Sequence, residues 1–368
     1  MSANRDERLL FPDSLDPVAT DGRDVDSRLA MLQGEAAQQL ALHDDERLKQ
    51  IAPSAWERVP RITDTDTTYY DRPMLKESVW SIDIPIYYFL GGAAGAALTL
   101  GAAIQLASGT RRRERELRKA SAACHWIGII GSTAGAGFLI HDLGRPSRFL
   151  YMMRVFRPTS PMNMGVWVLA GAAPSAIATG LLLNRRGFLG TIGEVAGYVS
   201  GIFGAALAGY TGVLVSSTAI PIWQQSRRWL PALFIASSAS TAASIIDIIS
   251  GNRAAGAIAR SFGTAGRVAE IVASLNVEHS ASATPKVGEP FTHGAPGFLW
   301  RAAGALTAAS LVISLLSGKS RNKTRVAGVL GAAGSLCLRF AVHYLGDASA
   351  RDPRASFHQQ RGEGSRAG

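Results

Sequence analysis

The segment GFLIHDLGRPSRFLYMMRVFRPTSPMNMGVW, Gly137 to Trp167, sets Arg145, Arg148, Arg154 and Arg157 between two apolar runs. It has two proline-containing turns and no acid after Asp142. A bilayer core of roughly 30 Å selects apolar runs of this kind, because about 20 helical residues span it. Outward in both directions the same kind of run recurs, at 84–107, 121–141, 162–183, 188–216, 230–250, 254–275, 298–317 and 325–346. The predicted fold is all-α: a polytopic membrane helix bundle of about eight transmembrane helices over residues 74–348. A mostly polar, acidic N-terminal extension covers 1–73, and a polar C-terminal tail covers 349–368. The sixth run, AAGAIARSFGTAGRVAEIVASL, carries Arg260, Arg267 and Glu270. It reads as a helix buried in the bundle or one lying at the interface.

Bulk figures hide this division. Of 368 residues 47% are hydrophobic, yet mean hydropathy is only +0.11, because a hydrophilic leader is averaged with a hydrophobic body. The net charge of +10 conceals an acidic leader: residues 1–80 hold 16 acids and 10 bases. The basic excess therefore lies at the ends of apolar segments, as lipid topology requires, and not on one solvated face as nucleic-acid binding requires. Residues 1–30 have many charges and no apolar core of a secretory signal. Residues 27–51 have the spacing of a surface helix, and 60–73 the composition of a linker. Cys124 and Cys337 both sit in apolar runs; two cysteines cannot ligate a four-cysteine iron–sulfur cluster, and they read as small buried hydrophobes.

Lysine and arginine counts in the short loops set the orientation. GTRRRERELRK after the first run holds six, NRRG after the third holds two, and GKSRNKTR after the seventh holds four. With eight spans these loops share one side, the cytoplasmic one. The N-terminal extension, the Arg145–Arg157 loop, Arg227–Arg228, the 276–297 loop and the C-terminal tail then face outward. The Arg145–Arg157 loop goes against the charge rule, which points to a purpose for it there. Gly91, Gly95, Gly131, Gly135, Gly197 and Gly201 recur at four-residue spacing and read as sites of close helix packing.

Six segments then carry a resemblance: WSIDIPIYYFLGGAAGA from Trp80, DLGRPSRF, FRPTSPMNMGVW, GYTGVLVSSTAIPIW, LPALF and LRFAVHYLGDASARDP, in this order. Together they resemble the polysulfide-reductase membrane-subunit family, the NrfD-type quinone-reactive anchors, over about residues 74–353. The resemblance implies a multi-pass subunit of the bacterial inner membrane, with no haem or iron–sulfur cluster of its own. It implies a quinone (menaquinone or ubiquinone) bound near the outer face. It also implies electron exchange with a ferredoxin-like iron–sulfur subunit docked there, itself serving a molybdopterin or multihaem cytochrome partner. Arg145, Arg148, Arg154 and Arg157 then have a use as the docking face, with snorkelling to lipid headgroups as the alternative.

A quinone site needs hydrogen-bond partners for both ring oxygens, a proton acceptor and an apolar slot. Asp83 and Tyr87 lie one turn apart at the head of the first run and share a face. The resemblance assigns the pocket to Tyr210 and to the head of the first helix, hence to Asp83 and Tyr87. His141 and Asp142 close the second run at the same level. Asp142 suits either a proton exit or a cap of the LGRP turn. Trp80 and Trp223 either flank the pocket or form an interfacial belt. Intramembrane ionisable groups are costly and so are functional candidates: His125, Glu194 and Asp247 as an inner proton path, with Glu270, Arg339 and His343 beside them. Arg339 reads as pairing with Glu270 or Asp142. Proton translocation coupled to quinone chemistry follows as a possibility from the resemblance.

Two other classes compete. A haem b-type subunit needs axial histidines on facing helices at one depth; His141 and His343 could both stand near the outer side, but His125 alone lies near the inner, so the required pairs are absent. A secondary transporter often shows internal repeats and broken helices; Pro174 marks a kink, but no repeat is evident. HExxH, a GxSxG with a following acid and histidine, and a P-loop lysine are all missing.

Overall fold

The computed structural model describes residues 75–356, apart from 77, 109–113, 250–252, 285 and 317–319, together with two short strands ahead of them. The chain divides into two units, Met1–Asp66 and Thr67–Gly368. In the first, β1 (Val25–Asp26) pairs antiparallel with β2 (Met31–Leu32), Val25 opposite Leu32. Met31–Leu32 is thus extended where a surface helix was expected; the rest of that stretch and the 60–73 linker lie outside the described residues.

The second unit is helical. Its long helices are α1 (Asp83–Ser108), α2 (Glu114–Asp142), α4 (Pro161–Leu182), α5 (Phe188–Ser216), α7 (Leu230–Ile249), α8 (Arg253–Ser282), α9 (Gly294–Leu316) and α10 (Arg321–Arg351). The short α3 (Ser147–Met152) lies in the loop between α2 and α4, and α6 (Pro221–Gln225) in the loop between α5 and α7. Among the described residues, seven helices are long and apolar enough to cross a membrane, all of these long ones except α8. α10 extends past the expected boundary at 348, and Ala355 beyond it is buried.

α8 has the length of a span without its composition, and the reason is where its charges point. Arg267 is fully buried, with Asp247 of α7 at 3.2 Å, Ser244 Oγ at 3.1 Å and Ser314 Oγ at 3.3 Å. Glu270, one turn on, is 2% exposed. Of the two readings of this run, the structure selects the helix buried in the bundle.

α1 is the central helix, with Ala94, Ala97 and Leu98 fully buried. Small residues make that position possible, because in lipid helices gain stability chiefly by close packing and interhelical hydrogen bonds. A Cβ on Gly95 would come within 2.5 Å of the Ala208 nitrogen and the Gly204 carbonyl oxygen of α5. The two backbones meet there with no space for a side chain. Both cysteines are free, Cys124 buried and Cys337 half-buried. Pro174 lies within the continuous helix α4.

The buried pair gives a prediction. Arg267→Met strands the Asp247 carboxylate in the bundle and should lower stability by about 3–5 kcal/mol. Adding Asp247→Leu should recover most of that loss. Thermal unfolding in detergent of the single and double variants checks it; equal losses in both would mean the pair is not coupled.

Candidate functional site

The outer ends of α1 and α2 are tied by two carboxylates. Asp142 accepts from the Ser81 backbone N–H at 2.9 Å and from its hydroxyl at 2.6 Å. Asp83 Oδ2 lies 2.6 Å from His141 Nδ1. Asp142 therefore does not cap its own LGRP turn; it anchors the segment leading into α1. The turn closes through backbone bonds, Gly144 N–H to the His141 carbonyl at 3.1 Å, with Gly144 at φ +70°. Glycine adopts this left-handed conformation without steric cost.

Beneath this tie, among α1, α2, α4 and α5, lies a narrow cleft of about 40 Å³. Four of the residues expected at the site line it: Trp80, Tyr87, Asp142 and Tyr210. Asp83 and His141 are not among its lining; they form the ion pair beside it, with the His141 side chain 75% exposed. The Tyr87 and Tyr210 hydroxyls are hydrogen-bonded to each other. A Cβ on Gly165 of α4 would overlap the Tyr210 ring, so only glycine there admits the tyrosine. Ile84, Leu139, Leu143, Met152, Met162, Val166 and Leu214 give the apolar walls.

Trp80 is half-buried in the cleft wall, stacked on Trp223 with centroids 5.9 Å apart. Trp223 is 2% exposed and donates from Nε1 to the Val342 carbonyl at 2.9 Å. The interfacial-belt reading is thereby corrected for both: they pack inward. Tyr88 was missed. It lines the cleft at 1% exposure, and its hydroxyl has no hydrogen-bond partner among the described residues. Its signal was present as the adjacent tyrosine pair in IPIYYFL. One-face spacing selected Tyr87 alone, whereas a helix enclosed on all sides turns both inward.

Arg145, Arg148, Arg154 and Arg157 are all exposed on the outer loop. Arg148 donates to the Leu143 carbonyl at 3.0 Å. Asn163 at the start of α4 holds the loop, accepting from the Arg157 N–H at 2.7 Å and donating to the Val155 carbonyl at 2.9 Å. Leu150, Tyr151, Val155 and Phe156 are exposed on the same segment, giving a mixed basic and apolar outer surface.

The deeper candidates separate. His125 is 1% exposed and faces Gly101 of α1. Glu194 is exposed on α5, and its backbone carbonyl accepts from Gln105. Asp247 has Arg267 as partner rather than either of these. Arg339 donates to the Phe234 carbonyl at 3.0 Å and Ser238 Oγ at 3.1 Å, and stands 4.0 Å over the Phe234 ring. It makes no ion pair with Glu270 or Asp142 among the described residues, in contrast to the expected pairing. The two histidines weighed as haem ligands have different neighbours, His141 with Asp83 and His343 with Asp347. No group of three or more metal-binding side chains is found among the described residues.

A multi-pass helix bundle with a hydroxyl-lined outer cleft and a basic outer loop has the form of a membrane subunit of a redox complex. The family model for the polysulphide reductase NrfD matches residues 72–349, so the chain belongs to that family. No curated protein matches it. The matched region covers the whole helical bundle, including the cleft and the arginine loop.

Proposed function

We propose that the outer cleft binds a quinone or quinol, menaquinone or ubiquinone, and that the subunit exchanges electrons between the quinone pool and an iron–sulfur subunit docked on the arginine loop. One observation carries this reading: the bonded Tyr87–Tyr210 hydroxyls stand with the Tyr88 hydroxyl and Asp142 in an otherwise apolar cleft. Small-molecule pockets likewise combine apolar walls with a few placed polar groups. The residues fit the group: hydroxyls and a carboxylate for ring oxygens, aliphatic and thioether side chains for the ring faces.

A bound quinol supplies two electrons and two protons. The tyrosine pair orients a ring oxygen, Tyr88 offers a free hydroxyl, and Asp142 offers an acceptor already oriented by Ser81. Met152 and Met162 adapt their shape to the ring and keep water out. The exposed arginines attract the acidic surface and cluster charge of a ferredoxin-like partner, beyond which a molybdopterin or multihaem cytochrome subunit exchanges the electrons. The setting is a bacterial inner membrane with the cleft on the outer side.

A second reading, coupled proton translocation, is favoured by the inner polar row. Asp247, Arg267 and Glu270 follow one another through the bundle, and Glu270 Oε2 is buried without a hydrogen-bond partner among the described residues. Glu270 also lines a cleft of about 200 Å³ that extends to Glu278 and Arg301, toward the C-terminal end of α8 and the N-terminal end of α9.

Three outcomes are expected. Tyr210→Phe should lower quinone turnover in assembled membranes while leaving subunit assembly intact. It also strands the Tyr87 hydroxyl, at about 1–3 kcal/mol, so Tyr87→Phe/Tyr210→Phe should regain stability without regaining turnover. Unchanged turnover removes Tyr210 from the site. Arg154→Glu/Arg157→Glu should reduce the iron–sulfur subunit recovered on affinity purification; full recovery returns these arginines to a lipid role. Glu270→Gln should preserve quinone turnover and abolish the accompanying proton uptake in proteoliposomes; unaltered uptake excludes Glu270 from a path.

A further inference from the structure

Glu270 Oε2 of α8 and Thr307 Oγ1 of α9 have no hydrogen-bond partner among the described residues. Both residues are 2% exposed. Buried polar groups without partners are uncommon, and each calls for a cause. Here the two share a place: both residues line the cleft of about 200 Å³ between α8 and α9. Neither belongs to the outer cleft. The other carboxylate oxygen of Glu270 has the Ser335 hydroxyl at 3.5 Å. Arg339 and Arg267 act on the Glu270 carboxyl through space, and so do the Ser240 and Ser237 hydroxyls, none of them in hydrogen-bond geometry with Oε2. With two guanidinium groups already countering its charge, Glu270 lacks a hydrogen-bond donor rather than a cation.

The cleft is polar within and apolar at its rim. Glu270 and Thr307 stand at one end; at the other Glu278 accepts from Trp300 Nε1 at 3.0 Å. Two helical turns separate the ends, about 12 Å at 1.5 Å per residue. Along the rim Leu275 is 62% exposed, and Gly304 and Ala308 are exposed. A Cβ on Gly304 would meet nothing within 4 Å. In a bilayer such a rim meets acyl chains, where no water competes for the buried oxygens. The entrance therefore suits a molecule dissolved in lipid that brings its own polar head. A cavity of about 150 Å³ holds a benzene ring, so this one admits a single substituted ring and leaves a tail outside.

We propose that the α8–α9 cleft is a second ligand site of the bundle, taking a lipid-soluble ring that bears an aromatic hydroxyl, as phenols and quinols do. The hydroxyl enters first, donating to Glu270 Oε2 and accepting from Thr307 Oγ1. The ring lies against Ile271 and Leu338, and the tail leaves past Leu275 and Gly304 into lipid. The site is separate from the outer cleft and does not depend on the quinone reading of it.

The test is photolabelling of the complex in native membranes with a trifluoromethyl-diazirinyl phenol, the labelled peptides being located by mass spectrometry. Wild type should be labelled on α8 and α9. The methyl ether of the probe, which cannot donate, should label these helices about tenfold less, the effect of one hydrogen bond to a charged group. Gly304→Leu/Ala308→Leu, one turn apart on the rim, should close the cleft and remove the α8–α9 label while leaving any label at the outer cleft unchanged. A short-tailed ubiquinol should displace the α8–α9 label, and dioleoylglycerol, an alcohol without a ring, should not; the reverse overturns the aromatic assignment. Label confined to α1 and α5 overturns the second site and leaves the quinone reading standing, whereas label on α8 and α9 alone supports this site and counts against the outer cleft. Equal labelling by phenol and ether, or a label that survives the rim variant, also overturns the proposal. Should the rim variant fail to assemble, Thr307→Val decides: it should weaken labelling of α8 and α9 by the phenol, and unchanged labelling overturns the site.

Discussion

Inside a hydrocarbon layer no water is present to satisfy a polar group, so every charge the bundle carries must find its partner among neighbouring helices. Much of the architecture follows from that constraint. α8 belongs to the bundle because Arg267 has Asp247, Ser244 and Ser314 around it. Arg339 is tolerated because a backbone carbonyl, a hydroxyl and an aromatic face receive its guanidinium. At the outer ends, where water begins, the same requirement is met more loosely, by Asp83 with His141 and by Asp142 with Ser81.

Close packing is the second element, and it serves the first. Backbone contact at Gly95 and Gly204 draws α5 against α1, and Gly165 of α4 leaves room for the Tyr210 ring. Those approaches bring Tyr210 to Tyr87, which lies far away in sequence, and so create a polar pair within an apolar cleft. Small residues thus determine where the large ones meet.

Membrane architecture was legible in the sequence because its signal is long: apolar runs persist over whole helices, and the arginine counts of the loops alternate with them. The azimuth of each residue was not. Asp247 was grouped with His125 and Glu194 by depth, which a sequence conveys, whereas its partner Arg267 depends on how α7 and α8 are rotated. Trp80 and Trp223 sit at interface depth in the sequence, yet the structure turns them inward against each other. Tyr88 escaped because spacing rules assume one buried face, and α1 is surrounded by other helices. The Ser78–Asp347 bond joins residues 269 apart, and no local pattern announces such a contact. The family resemblance pointed where periodicity could not, to the helix ends at which Tyr87, Tyr210 and Asp142 gather.

The outer loop has one further consequence. Met152 ends α3 and also forms part of the cleft wall, while Asn163 at the head of α4 fastens the following residues. The arginine surface and the cleft therefore share a rigid piece of chain. Any partner that grips α3 does work on the cleft, and any ligand that fills the cleft works back on the partner by the same free energy. A shared wall of this kind makes the loop and the cleft one mechanical unit, joined through Met152 and fastened by Asn163.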